Sequence, residues 1–323
     1  MLKLYNTLTR KKQEFKPIEK GKVGIYSCGP TVYDFIHVGN LRAFIFSDLL
    51  KRWLKFKGYK VKHIMNITDI DDKLIKKSCG NKSKLKEITE KYEDAFFSDI
   101  KKIDIEKADK YPQASKHINE MVELIKKLMK KGYAYKTSDG IYFSIKKFKN
   151  YGRLAGIKGL KAGASGRIEK DEYDKENIRD FALWKFYSEE DGEIFWETEI
   201  GKGRPGWHIE CSAMSSKYLG QPFDIHTGGI DLIFPHHENE IAQSEASEGK
   251  KFVNFWIHNE HLVVEGKKMS KSLGNFYILK DLTDKNYSLN AIRYLLMSTH
   301  YRQKLNLTDE SLKSSEEAIK RIQ

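Results

Sequence analysis

Two cysteines, several histidines and a run of carboxylates stand where they could converge on one cation. His236 and Glu240, in Pro235-His236-His237-Glu238-Asn239-Glu240, are four apart at the start of a predicted helix, so both side chains leave one face. Cys28 ends a predicted strand, and Cys211 closes Gly206-Trp207-His208-Ile209-Glu210-Cys211. Two thiolates, an imidazole and a carboxylate form a donor set that suits zinc. His208, His226 and His237 are rival ligands, and buried, unligated cysteines are the plain alternative.

Two further segments have the chemistry of phosphate binding. Cys28-Gly29-Pro30-Thr31 runs on to His37-Val38-Gly39-Asn40 and into a helix at Leu41. A helix N-terminus offers unpaired N–H groups and the positive end of a dipole. His37, Gly39 and Asn40 would line such a pocket, although a histidine and an asparagine in this position also make an ordinary cap. Lys267-Lys268-Met269-Ser270-Lys271-Ser272-Leu273-Gly274-Asn275 follows a hairpin-like run, His261 to Gly266, and reads as a mobile loop rich in ammonium groups. Such groups neutralise charge that develops on phosphates in a transition state.

The elements that must position these residues follow from periodicity. Lys22 to Ser27 reads as a strand, Leu41 to Lys57 as an amphipathic helix closed by Gly58, and Val61 to Ile67 as a second strand. Together they form a βαβ unit with parallel neighbouring strands, and function belongs at the strands' carboxyl ends. His117 to Lys131 is a helix, and Tyr133 to Thr137, Ser138-Asp139-Gly140 and Ile141 to Ile145 form a hairpin. Phe181 to Tyr187 and Glu193 to Ile200 look β-like, with a glycine-rich loop at Gly159 to Gly166. Phe223 to Thr227 and Val253 to His258 resume the sheet around a helix starting near Pro235. The chain is helical from about Leu289, and Thr308 to Gln323 begins a polar amphipathic helix with no partner in the sequence. The fold class is therefore α/β, a Rossmann-like parallel sheet with an inserted α+β subdomain and a C-terminal helical segment.

With 323 residues, 40% hydrophobic and 12% aromatic, the chain buries a large core, which excludes disordered and fibrous classes. No apolar run reaches the ~18 residues of a membrane span, and the first fifteen residues have no secretory pattern, so a cytoplasmic location is expected. A net charge of +13 favours polyanionic partners, although runs such as Lys76, Lys77, Lys82, Lys84 and Lys86 also read as solvated faces. Three widely spaced cysteines, Cys28, Cys79 and Cys211, suit a reducing compartment.

Taken in order, Cys-Gly-Pro-Thr-Val-Tyr-Asp, His37-Val-Gly39-Asn40, Gly-Trp-His-Ile-Glu-Cys-Ser-Ala-Met, Gly-Gly-Ile-Asp-Leu-Ile-Phe-Pro-His-His-Glu-Asn-Glu and Lys-Met-Ser-Lys-Ser resemble the cysteinyl-tRNA synthetases of class I. The resemblance runs from residue 1 to about 305. It implies a nucleotide-binding sheet split by a connective subdomain. On that pattern residues 1–116 and 201–258 form the catalytic domain, 117–200 the insert, 259–305 the lysine loop and stem-contact region, and 306–323 the start of a helical region. It implies one zinc ion on Cys28, Cys211, His236 and Glu240, and ATP, with Mg2+, on His37, Gly39, Asn40, Gly228, Gly229, Asp231, Lys268 and Lys271. Lys271 and His37 would be catalytic, and Gly29, Thr31, Thr68, Trp207 and His226 would hold the amino acid. The substrates implied are L-cysteine, ATP and the acceptor arm of tRNA(Cys), with no membrane partner.

Two departures stand out. Asn40 replaces a usual second histidine and cannot carry its charge. The chain also stops where the family continues into an anticodon-binding helical domain, so that domain is expected to be absent. This lends weight to an alternative acceptor, an amino sugar or other small amine receiving cysteine from the same adenylate. A zinc-stabilised RNA-binding scaffold is a third reading, against which the intact lysine loop argues.

Overall fold

The chain opens on an antiparallel hairpin, β1 (Lys3–Asn6) and β2 (Lys11–Glu14), absent from the sequence reading because its strands are short and half exposed. It is anchored where Thr7 N–H donates to Trp256 O and Asn6 Nδ2 donates to Asn254 O. The predicted βαβ unit follows as β3 (Lys22–Ser27), α1 (Val38–Phe56) and β4 (Lys60–Met65), with β3 and β4 parallel. This computed structural model describes residues 1–157, 179–270 and 273–322. The predicted Gly159–Gly166 loop, Lys271 and Ser272 lie outside them.

Two helices then leave the sheet, α2 (Asp72–Ser78) and α3 (Lys82–Lys102). The lysine run belongs to them as a solvated face, while Tyr92, Phe96 and Ile100 are buried. Helix α4 (Ile118–Lys130) precedes the insert's antiparallel sheet, β5 (Ala134–Lys136), β6 (Gly140–Phe143), β7 (Phe181–Phe186) and β8 (Gly203–Pro205). The β-like stretch Glu193–Ile200 is not a strand. Its one ladder contact is Trp196 with Gly203, and a turn in which Thr198 Oγ1 donates to Gly201 O ends it.

Helix α5 (Trp207–Leu219) leads back to β9 (Phe223–Gly229), followed by α6 (His236–Glu248) and β10 (Val253–Asn259). The central sheet runs β10-β9-β3-β4, all parallel. Its crevice opens where β3 and β9 end, as expected for a doubly wound sheet. Beyond it, β11 (Leu262–Val264) and β12 (Lys267–Lys268) form the hairpin that carries the lysine loop. Helices α7 (Leu279–Asp284) and α8 (Leu289–Ser298), strand β13 (Leu305–Leu307) and α9 (Asp309–Ile322) complete the chain. The last helix does have a partner: it packs on α8 and buries Leu312. No helix among the described residues is long and apolar enough to cross a membrane.

Candidate metal and nucleotide site

Cys28 is the first residue past β3, and the chain there passes very close to the end of β4. A Cβ on Gly29 would fall 1.7 Å from Asn66 O, so only glycine fits, and Gly29 N–H donates to Asn66 Oδ1 at 2.9 Å. Cys211, from α5, and His236 and Glu240, from α6, meet Cys28 over this edge, and one ligand atom from each lies within 4.8 Å of the others. Cys28 Sγ is 3.9 Å from Cys211 Sγ and 3.8 Å from Glu240 Oε1, and His236 Nε2 is 3.2 Å from Glu240 Oε1. Tetrahedral zinc, with bonds of about 2.3 Å to sulfur and about 2.0–2.2 Å to nitrogen and oxygen, requires separations of roughly 3.8, 3.6 and 3.4 Å for those pairs. The donors therefore fit zinc in type and spacing.

Burial sets their protonation. It pushes the Cys28 thiol well above its ordinary range, with Cys211 and Glu240 adding to the effect, and raises Cys211 likewise. His236 is driven down to about 3 by burial, so it stays neutral at pH 7 and is ready to ligate. Around the donors lies a layer of hydrogen bonds: His208 Nδ1 to His236 Nδ1 at 2.9 Å, and His226 Nε2 to Glu240 Oε2 at 3.0 Å. Such contacts fix the tautomer and aim of a ligand. His226, expected to touch substrate, is fully buried and orients Glu240. His237, a rival ligand, sits 3.2 Å from Cys28 Sγ through Nε2. A second set, Cys28, His226, His237 and Glu240, is equally compact.

Of the residues expected to hold an amino acid, Thr31 and Thr68 pair across a parallel bridge, and Thr68 Oγ1 donates to the buried Glu210 Oε2 at 2.9 Å. Trp207 opens α5 with its ring 4.4 Å from that of His236, placing it over the ligand cluster.

The nucleotide side is built on the start of α1. His37 caps it: Asn40 N–H donates to His37 Nδ1 and Asn40 Oδ1 accepts from His37 N–H, a reciprocal capping box. Both residues thus serve the helix end, and with Nδ1 accepting, a neutral His37 carries its proton on Nε2. Burial lowers its pKa despite the opposing charge of Asp231, so it is a neutral donor. Val38 N–H is taken by Tyr277 O, which leaves the N–H of Gly39, next in the first turn, for a ligand among the described residues. Gly228 is the penultimate residue of β9, where a Cβ would strike the His237 ring at 2.6 Å, and Gly229 ends the strand just before the short turn Ile230–Ile233 that bears Asp231. The loop bearing Lys268, which is exposed, returns against α1: the His37 ring meets Phe276 edge-on and His37 bridges Ile278. Lys271 itself lies outside the described residues.

Residues 14–317 match the family described as tRNA synthetases class I (C) catalytic domain. The chain belongs to the class I cysteinyl-tRNA synthetase family. It is 58% identical over 320 residues to a cysteine--tRNA ligase of Brachyspira hyodysenteriae, covering 98% of this chain and 68% of that protein. It is 52% identical to one of Leptospira interrogans, covering 100% and 68%. The chain thus spans about two thirds of these synthetases' length. In fold it is similar to Mycobacterium tuberculosis methionyl-tRNA synthetase in complex with methionyl-adenylate, with a TM-score of 0.71 at 14% identity, over 91% of this chain and 67% of that one.

Sequence reasoning missed Asn66, Glu210 and His258. Glu210 directly precedes Cys211, yet adjacency on a helix points it elsewhere, and only the fold brings it to Thr68.

Proposed function

We propose that this chain activates L-cysteine with ATP and Mg2+ and transfers it to tRNA(Cys), selecting the thiol through zinc held by Cys28, Cys211, His236 and Glu240. The reading is carried by one observation: four zinc-type donors converge within 4.8 Å at the carboxyl edge of the sheet that also bears the α1 terminus. Zinc, when bound, would coordinate the substrate's sulfur as a thiolate, a form that serine's hydroxyl resists adopting.

The chain's own residues do the aligning. A cysteine carboxylate oxygen attacks the α-phosphorus of ATP, the bond to the β-phosphate bridging oxygen breaks and pyrophosphate leaves, so catalysis is mostly positioning and charge stabilisation. His37 Nε2–H and the Gly39 N–H would hold one side of the triphosphate at the positive end of α1. Lys268 and Lys271 would neutralise charge gathering on the leaving pyrophosphate. Trp207 would cover the amino acid, and Gly29 would lie beside it. A ribose hydroxyl of the tRNA end then attacks the carbonyl carbon, and AMP departs.

The test is ATP–pyrophosphate exchange driven by cysteine or serine, before and after metal removal. Stripped protein loses its preference for cysteine together with its affinity, and zinc restores both; a preference that survives stripping refutes the assignment. Lys271→Ala lowers exchange turnover while leaving cysteine binding intact.

A further inference from the structure

Strand alternation sorts the side chains at the sheet's carboxyl edge between its two faces. Ser27 of β3 and Thr227 of β9 are paired neighbours, and Thr227 Oγ1 lies 2.7 Å from Ser27 Oγ and 2.9 Å from Ser47 Oγ of α1, so these two face α1. Tyr26 and His226, the pair one step back, face the other way, where His226 bonds Glu240 of α6. Cys28 follows Tyr26 by two residues and shares its face. Tyr26 and Cys211 lie in one buried cluster, with Cys28 packed against it.

The Tyr26 ring meets that of His226 edge-on at 5.1 Å, and the residue is fully buried. Its hydroxyl nonetheless makes no hydrogen bond among the described residues. Folded proteins pair nearly all buried hydroxyls, because an unpaired one has lost water and gained nothing. Burial, then the neighbouring Cys211, Cys28 and Glu240, raises its pKa well above the ordinary value of about 10. Tyr26 therefore keeps its proton at neutral pH and has it to donate.

Cys211 is the neighbour that needs a donor. Its Sγ lies 3.9 Å from Cys28 Sγ and 3.7 Å from Asn66 Oδ1. Asn66 Oδ1 accepts from Gly29 N–H while its Nδ2 donates to Thr68 Oγ1, so the amide turns its oxygen, not its nitrogen, toward the sulfur. A Cys211 thiol can donate to that oxygen. A thiolate can only accept, and neither Asn66 Oδ1 nor a second thiolate donates. Burial raises the Cys211 thiol's pKa, and Cys28 and Tyr26, as donors next to the sulfur, oppose the rise; once Cys28 is itself ionised, Tyr26 is the one of the two that can still donate. We propose that Tyr26 is a positioning residue for the metal site, its hydroxyl donating to the Cys211 sulfur when that sulfur ligates as a thiolate. The bond holds the sulfur in place and draws part of its charge away from the ion, leaving the ion a better partner for the substrate's sulfur. The inference rests on the ligand set proposed above and adds the donor that supports it.

Tyr26→Phe in the full chain, with Co2+ alone as the probe, tests it. Thiolate ligands give Co2+ a sulfur-to-metal charge-transfer band, and a hydrogen bond to the sulfur raises the energy of that band. Tyr26→Phe should move the band to lower energy and weaken Co2+ binding about tenfold, the usual scale for losing a contact behind a ligand. Without Co2+, the variant's urea midpoint should equal or exceed that of the wild type, because only an unpaired hydroxyl is deleted. In a Cys211→Ser background, Tyr26→Phe should leave the remaining band where it is. A band that Tyr26→Phe does not move, or moves equally in the Cys211→Ser background, overturns the inference and leaves the ligand set standing. A band that Cys211→Ser itself leaves unaltered shows that Cys211 does not ligate and overturns both.

Discussion

Two overlapping sets of donors compete for one ion, and proton counting separates them. In metal-free protein at pH 6–8 both buried thiols are protonated, since burial holds them above their ordinary range, while His236 and His237 are already neutral. Only thiolate sulfur ligates, so each cysteine that binds the ion releases one proton. Affinity then rises with pH, tenfold per unit for each proton released. Counting protons from sulfur alone, the set with Cys28 and Cys211 releases two, about a hundredfold per pH unit; the set in which Cys28 is the only cysteine releases one, about tenfold. Competition against a chelator of known pH dependence, at half-unit steps from pH 6.5 to 8, reads the slope directly. Cys211→Ser should reduce it from about two to about one and weaken affinity throughout. A wild-type slope near one, indifferent to Cys211→Ser, would refute the proposed ligand set.

Two predictions concern groups away from the ligands. His63 is buried, held near pKa 3, and bonded through Nε2 to Ser27 Oγ at 2.9 Å. Its folded pKa lies below its unfolded value of about 6.5, so its contribution is complete above pH 6.5 and fades as pH falls toward 3, by about 1.4 kcal/mol per unit. Urea midpoints at pH 7, 6 and 5 should fall accordingly, and His63→Gln should flatten the decline; an equal decline in the variant would contradict this. Arg42, buried in α1, donates to Glu260 O, His261 O and Gln303 O at 2.6–2.7 Å, tying the helix that bears His37 to the root of the lysine-bearing hairpin. Arg42→Met strands three carbonyls but relieves a charge whose burial lowers its pKa to about 10, for a net loss of about 2–4 kcal/mol. An unchanged denaturation midpoint would show that water replaces those bonds without cost.

The parallel strands and α1 were legible because full burial writes itself as short β-branched runs and one-sided helices. Val23, Ile25, Leu41 and Ile45 are all at or near zero exposure. Strand β8 was not legible: its three residues, Gly203-Arg204-Pro205, carry no β propensity and pair only because β7 offers an edge. The opposite error, at Glu193–Ile200, came from apolar residues that alternate like a strand but fill the insert's core through Ile194 and Ile200 from a turn-rich path. At the site, types and spacing put forward Cys28, Cys211, His236 and Glu240, which the fold brings within 4.8 Å of one another, but left His208, His226 and His237 as rivals. Consecutive histidines on α6 point about 100° apart, and only the fold shows that both still reach Cys28 or Glu240.

The hydrogen bonds around Cys28 show what the choice of ligands would settle beyond the metal. A neutral imidazole has one donor and one acceptor, so the chain from Cys28 through His237 and His258 to Thr7 Oγ1 has a direction. If Cys28 is a thiolate with Cys211, His236 and Glu240 completing the set, sulfur only accepts. His237 then carries its proton on Nε2, His258 donates to it, and Thr7 donates to His258. If His237 ligates through Nε2 instead, its hydrogen bond with Cys28 is lost, the two bonds beyond it reverse and Thr7 becomes an acceptor. Thr7 and His258 both line a cavity beside the site. The identity of the fourth ligand thus determines, two rings away, whether the Thr7 hydroxyl proton is committed inward or available to an oxygen entering that cavity.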